Sequence, residues 1–311
     1  MAQFTVAVNQ SVVQDVFLAA ESGFVQVFNG TGNSGSFTAS YNIGLKLSGG
    51  SLAFSNAGTL NLTNVNVTTS PCKLSLAVQF PNLCTPSIDL GLFTIPGFCL
   101  FSSPPELDIN LDLSGFLVVT VTLDCGLGIK HVNNPNWHAG MSDMDAYSAN
   151  PQALNAWQIY PVIPNNGVLV QINLVGNLGA LLDGAINTGV ANLVGTLPGW
   201  MQPIAWALIG PVLLFVDAIV GIGADVTQWL LSLLTGLFNL TGVFQTPIAQ
   251  YFASQVVFPI SDPIPVQFAE PGLPLQPPNP PPVNWNPLFI SLKNPSVTIN
   301  ATEMVVSTDI A

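Results

Sequence analysis

The sequence predicts an α+β protein: a long, curved antiparallel β-sheet wrapped around an N-terminal helix and a second apolar helical segment. Three observations predict it. Apolar residues alternate with polar ones from Phe37 to Leu123, a single apolar stripe at helical spacing runs near the N-terminus, and residues 177–258 lose the alternation and turn rich in Leu, Ala, Ile and Gly. Strict alternation means strands with one buried and one wet face, which is the signature of antiparallel rather than parallel pairing.

The first predicted element is a helix over residues 9–28. Val13, Phe17, Ala20, Phe24 and Val27 recur at spacings of three and four, while Gln14, Asp15, Glu21 and Ser22 fall on the other side. Asn9 or Ser11 can cap its start, Asn29-Gly30 ends it, and the Gly-rich run 30–35 reads as a flexible turn.

Strands follow. Phe37, Ala39, Tyr41, Ile43, Leu45 and Leu47 form the first apolar row, then Leu52 and Phe54, Leu60 and Leu62, Val65 and Val67. Leu74 to Phe80, Leu107 to Leu113 and Val119 to Leu123 continue it. Residues 126–166 hold both histidines and many Asn and Pro, and read as a long loop or tip. A strand returns at Val168–Leu174.

Residues 177–258 carry Asp183, Asp217 and Asp225 as their only charges. Leu178, Leu182, Ile186 and Val190 keep helical spacing, and Pro198, Pro203, Pro211 and Pro247 punctuate the rest into two to four helices. Residues 261–287 are proline-rich and predict an extended surface crossing. Val297, Ile299, Ala301, Met304 and Val306 then form a strand that rejoins the N-terminal sheet. The organisation is one elongated domain over 1–311: sheet and first helix to 176, apolar helices to 260, crossing and closing strand beyond.

Charge excludes several functions. Only 6% of residues are charged, against roughly 25% in ordinary soluble domains. The chain has no arginine, four lysines and sixteen acids, for a formal charge of −12. Nucleic-acid binding, which requires many Lys/Arg–phosphate contacts, is excluded as a general mode, and so is charge-driven binding to anionic lipid. No basic and apolar leader follows Met1. Uncharged Asn, Ser, Thr and Gln take over the solvated faces, which points to an extracellular or periplasmic protein. Cys72, Cys84, Cys99 and Cys125 lie without C-x-x-C spacing, so disulfides outrank zinc. Cys72–Cys84 is the favoured pair with Cys99–Cys125 second, and the alternative is four buried thiols.

The order of helix Val12–Phe28, alternating strands Phe37–Leu47 and Leu107–Leu123, and second helix from Leu178–Leu193 resembles the tubular lipid-binding superfamily, the fold of bactericidal/permeability-increasing protein. The resemblance is one of element order, spans about residues 5–260, and implies an elongated apolar groove between helices and sheet. A physical argument runs beside it. A helix apolar on most faces must be covered on most faces, and one sheet covers one side. The other side meets more protein, a membrane or an apolar ligand. Burial of a lipid chain contributes about 0.8 kcal/mol per methylene without any charge. Phe17, Phe24, Trp206, Phe215, Trp229 and Leu233 are the candidate lining residues for a lipid or other hydrophobic molecule.

Two other functions are open. Residues 204–216 are a thirteen-residue apolar run with Pro211 inside, short of the about twenty needed to span a bilayer. Residues 197–245, with Trp200, Trp206 and Trp229, suit conditional insertion into a membrane. A charge-poor chain with strand edges also suits self-association in an extracellular assembly. Enzymatic motifs are missing: there is no G-x-S-x-G, Walker loop, H-E-x-x-H or dinucleotide fingerprint, and no cofactor is expected. His131, His138, Asp143 and Asp145 could together ligate a metal, and the ladder Glu106, Asp108, Asn110, Asp112 could take Ca²⁺. Solvated loop and wet sheet face are the plainer readings of both.

Overall fold

The alternating segments pair into a curled, antiparallel, half-barrel sheet of nine strands. The computed structural model describes residues 3–34, 37–79, 84–89, 91, 94–134, 155–207, 225–266 and 288–310. The main sheet runs β12 (Phe258–Ser261), β10 (Ala156–Val162), β9 (Leu117–Val132), β5 (Leu60–Gln79), β3 (Phe37–Ser48), β2 (Val25–Ser34). In addition, β11 (Val168–Leu174) pairs with β9, while β4 (Ser51–Phe54) and β8 (Glu106–Asp112) pair with β5. Every other residue of β3 and β8 is buried, so the predicted inner rows Phe37–Leu47 and Leu107–Leu111 are the core face. Full burial of each such Leu, Ile or Phe contributes about 1.5–3 kcal/mol. A single apolar cluster joins these rows to the helices.

The long strand β5 absorbs three predicted pieces. Its alternation changes phase between Leu62 and Val65, where the register against β9 shifts and Asn64 takes φ +56°. A bulge of this kind adds a residue to one strand and keeps both halves facing the core.

The N-terminal region differs from expectation. The helix α1 covers Gln10–Gly23, starting where the Asn9 side chain accepts from the Val12 N–H at 3.1 Å. It stops five residues early, because Phe24 takes extended dihedrals and residues 25–34 join β3 through ten consecutive register pairs. The predicted turn over 30–35 is mostly this strand. Its glycines are packing gaps: a Cβ on Gly30 would lie 2.7 Å from the Tyr41 ring, and one on Gly32 would lie 2.8 Å from Leu237 Cγ. The expected tip over 126–166 is likewise strand at both ends, in β9 to Val132 and in β10. Gly128 there leaves room for the Tyr160 ring, 2.8 Å from where a Cβ would sit.

The C-terminus closes back on the start, but in a separate sheet. A strand absent from the prediction, β1 (Gln3–Asn9), pairs with β16 (Glu303–Ile310) through seven register pairs, and β15 (Leu292–Ile299) lies on its other side. The closing segment is thus two strands and a turn. The turn forms because the Asn300 side chain accepts from the N–H groups of Thr302 and Glu303. Two short ribbons, β6 (Ile88–Asp89) with β7 (Thr94–Ile95) and β13 (Ile264–Val266) with β14 (Leu288–Ile290), complete the strands.

Among the described residues of 177–258, which are also helical at 202–207, four helical elements are bounded at both ends. They are α2 (Leu178–Gly195), α3 (Val226–Ser232), a π-helical turn (Leu233–Leu237) and α4 (Leu240–Ala253). Pro247 lies inside α4 rather than between helices. Pro211, Phe215, Asp217 and most of the proline-rich crossing lie outside the described residues.

Both expected disulfide pairings are overturned. Cys84 and Cys99 are joined, facing each other across an antiparallel bridge, while Cys72 and Cys125 are free and buried. The bridge places Cys84 opposite Cys99 and so takes both from their expected partners, and the sheet register keeps the two remaining thiols apart. Cys125 pairs with Leu60 at one end of β5, and Cys72 lies twelve residues further along that strand, about 40 Å away at ~3.3 Å per residue. Such crosslinks persist in oxidising compartments.

Candidate apolar site

The helices pack along the main sheet, with α3 on β11 and the π-helical turn on β2. The helix α1 packs on β3 and β4, α2 packs on β8, and α4 packs on β11 and β10. Four aromatic pairs then join the N-terminal elements to the helices from 238 onward. Phe17 stacks on Phe252 at 5.9 Å, Phe24 meets Tyr251 edge-on at 5.2 Å, Phe28 meets Phe244 at 5.3 Å, and Tyr41 meets Phe238 at 4.8 Å. The predicted lining residues Phe17 and Phe24 are therefore enclosed by aromatic rings of α4. Leu233 is buried in the same core and Trp229 is half-buried against it. Trp206 stands 48% exposed, away from that interior, and Phe215 lies outside the described residues.

The aromatic partners on α4 were missed in the sequence, although their signal is present. Leu240, Phe244, Ile248 and Phe252 recur every four residues and all are buried. Pro247 in their midst reads as a breaker and hides the stripe.

Glu21 is a second residue that sequence patterning misplaces. It does not fall on the wet side of α1 but is fully buried in line with Val13 and Phe17, four residues apart each. Both its carboxyl oxygens lack a hydrogen-bond partner, and burial pushes its pKa up to about 7.

Open space lies on the other flank of the sheet. A cavity of about 450 Å³ separates α2 from the outward row of β8. Leu181, Ala185 and Thr188 form the helical wall, and Asp108, Asn110 and Asp112 form the strand wall. The helix comes this close because Gly189 has no side chain: a Cβ there would lie 2.4 Å from the Asp108 carbonyl oxygen. Asp112 accepts from the Ser114 backbone N–H at 2.9 Å, and bonds from Ser114 hold its carboxyl below the ordinary range. A smaller cavity of about 290 Å³ lies among Gly58, Leu127 and Val297.

The histidine region forms a structural knot. Asp262 Oδ2 accepts from Trp157 Nε1 at 3.0 Å and lies 3.3 Å from His131 Nε2, while Asp262 Oδ1 accepts from the Leu292 backbone N–H at 3.0 Å. His131 also meets the Trp157 ring edge-on at 4.7 Å. His138, Asp143 and Asp145 lie outside the described residues. Among the described residues no group of three or more His, Cys, Asp or Glu side chains is placed to hold a metal ion. No protein family model matches this chain, and no curated protein matches it.

Proposed function

We propose that this protein binds an apolar or amphiphilic ligand without catalysis, as its resemblance to the tubular lipid-binding superfamily implies, though in a crevice away from the expected lining residues Phe17, Phe24, Trp229 and Leu233, and does so outside the cytoplasm. The observation that carries the proposal is the crevice between α2 and β8. Its volume of about 450 Å³ falls in the range of small-molecule sites, about 300–1,000 Å³. Its walls are amphiphilic in the same sense as a lipid, with Leu181 and Ala185 on one side and a polar row on the other. Eight methylenes laid along the helical wall would contribute about 6 kcal/mol before ordering costs. The acidic row and the charge of −12 favour a neutral or cationic polar end over an anionic one. The disulfide supports the extracytoplasmic part.

Native mass spectrometry of the purified protein, followed by solvent extraction, tests the proposal. The expected result is a bound apolar species that is lost, at least tenfold, when Ala185→Trp fills the crevice. A ligand-free wild type that also fails to take up neutral detergent or alkyl alcohols would overturn it.

A second use of the apolar segment is docking to a membrane surface. Trp200 and Trp206 stand 67% and 48% exposed, at the edge of the segment expected to insert. Tryptophan favours the bilayer interface. Among the described residues no single helix is long and apolar enough to cross a membrane, and one pair, 226–237 with 240–253, passes by composition only when taken together across a 54° bend. Vesicle co-flotation with wild type and a Trp200→Ser/Trp206→Ser variant tests it: binding lost in the variant supports docking, and no wild-type binding removes it.

A further inference from the structure

The buried carboxyl of Glu21 lies on the packing face of a helix that is held in place by few polar contacts. At the start of α1, the Gln10 amide donates to the Leu52 carbonyl at 2.7 Å and accepts from the Phe54 N–H at 3.3 Å, pinning the helix to β4. At its end, the Tyr251 hydroxyl donates to the Ala20 carbonyl at 2.7 Å. Between these pins the helix is seated by Val13, Phe17 and Glu21, and Phe24 follows directly. A neutral carboxylic acid is tolerable there, but an ionised one without a partner is not.

Among the described residues, no charge on the surrounding elements relieves it. The strands β1 and β4 carry no ionisable side chain. On β3 the only charged residue, Lys46, sits on the exposed side of the strand, opposite the buried Leu45 and Leu47. On α1 itself Asp15 is exposed. The one ionisable side chain of α4 is Tyr251, and its hydroxyl donates to the Ala20 carbonyl.

We propose that α1 is a pH-operated cover over the aromatic interior: it seats while Glu21 is protonated and lifts when Glu21 ionises, exposing Phe17, Phe24 and their partners on α4. The sign follows from linkage. The seated carboxyl titrates at about 7 and the released one near its ordinary 4.5. The seated state is thus favoured fully below pH 4.5, loses ground as pH rises from there to 7, and stays at its weakest above 7. The inference does not depend on which ligand, if any, the protein carries.

Hydrogen exchange on the full chain at pH 5 and pH 8, corrected for intrinsic exchange rates, reads the seating directly. Protection of α1 relative to β5 is expected to fall by about 70-fold between those pH values, tenfold for each pH unit by which seating raises the titration point, less the part already lost at pH 5. Glu21→Gln should flatten the profile, and Glu21→Leu should do the same with an apolar side chain if the Gln variant folds poorly. Flat wild-type protection of α1, an equal loss across β5, or a drop retained in both variants would each overturn the proposal.

Discussion

Replacing Asp262 by Asn alters one atom in a site where four strands meet. The carboxylate takes the Trp157 indole N–H on Oδ2 and the Leu292 backbone N–H on Oδ1, both at 3.0 Å, with His131 Nε2 3.3 Å from Oδ2. Asn has one acceptor oxygen, so its amide group must face one of these donors instead of accepting from it. The Asp262 side chain is only 14% exposed, so water does not readily replace the lost bond. A hydrogen bond to a charged group contributes about 1.5–3 kcal/mol, which sets the expected loss for Asp262→Asn at about 2 kcal/mol. Asp262→Ala removes both bonds and should cost about 4 kcal/mol on the same scale. The knot joins β9, β10, β12 and the start of β15, so the loss should appear in the cooperative urea transition. A midpoint change worth less than 0.5 kcal/mol for the Asn variant would refute the reasoning and show that these contacts form equally well with an amide.

Other consequences follow from packing and from the thiols. Phe252→Ala removes the ring that stacks on Phe17 and is fully buried, and should cost about 3–5 kcal/mol by calorimetry. Gly189→Ala places a methyl against the Asp108 carbonyl, so α2 must lift from β8 at a cost of about 1–3 kcal/mol, with the loss of exchange protection concentrated in α2. Alkylation with iodoacetamide should modify no cysteine in the native protein and two, Cys84 and Cys99, after mild reduction, since both are exposed. Cys72 and Cys125 should react only on unfolding, because burial pushes both thiols up to about 12 and shields them from the reagent. Labelling of Cys72 in the folded protein would contradict its place in β5.

Alternation was a sufficient guide wherever one face of a strand is wet and the other packed. Phe37–Leu47 and Leu107–Leu111 are buried as their pattern requires. The guide failed where side chains from elsewhere use the strand as a surface. Gly30, Gly32 and Gly128 look like turn residues because nothing local distinguishes a glycine that bends the chain from one that admits Tyr41, Leu237 or Tyr160. Tyr160 and Leu237 lie 32 and 205 positions away, beyond the window over which periodicity is read, and Tyr41, 11 positions from Gly30, meets it only through the pairing of β2 with β3. The disulfide was missed for a related reason: Cys84 and Cys99 are brought together by an antiparallel bridge, a pairing that spacing along the chain does not encode.

Low charge makes the site harder to read than the fold. In a chain where 6% of residues are charged, a Glu on a helix is naturally assigned to solvent. Yet the residues at 13, 17 and 21 follow one line down α1, and the geometry of the helix overrides the chemistry of the last. The sheet makes the opposite choice with Glu106, Asp108 and Asp112, which alternate outward and leave Leu107, Ile109 and Leu111 to the core. The difference is one of escape. A strand residue can exchange faces only by a register slip that would expose the whole buried row, so β8 keeps its acids wet. A helix one turn from its end has no such constraint on a single side chain, and α1 seats Glu21 in the core at the cost of holding its proton. That asymmetry places the buried ionisable group on a helix, whose seating, unlike that of a strand, is not fixed by a ladder of backbone pairs.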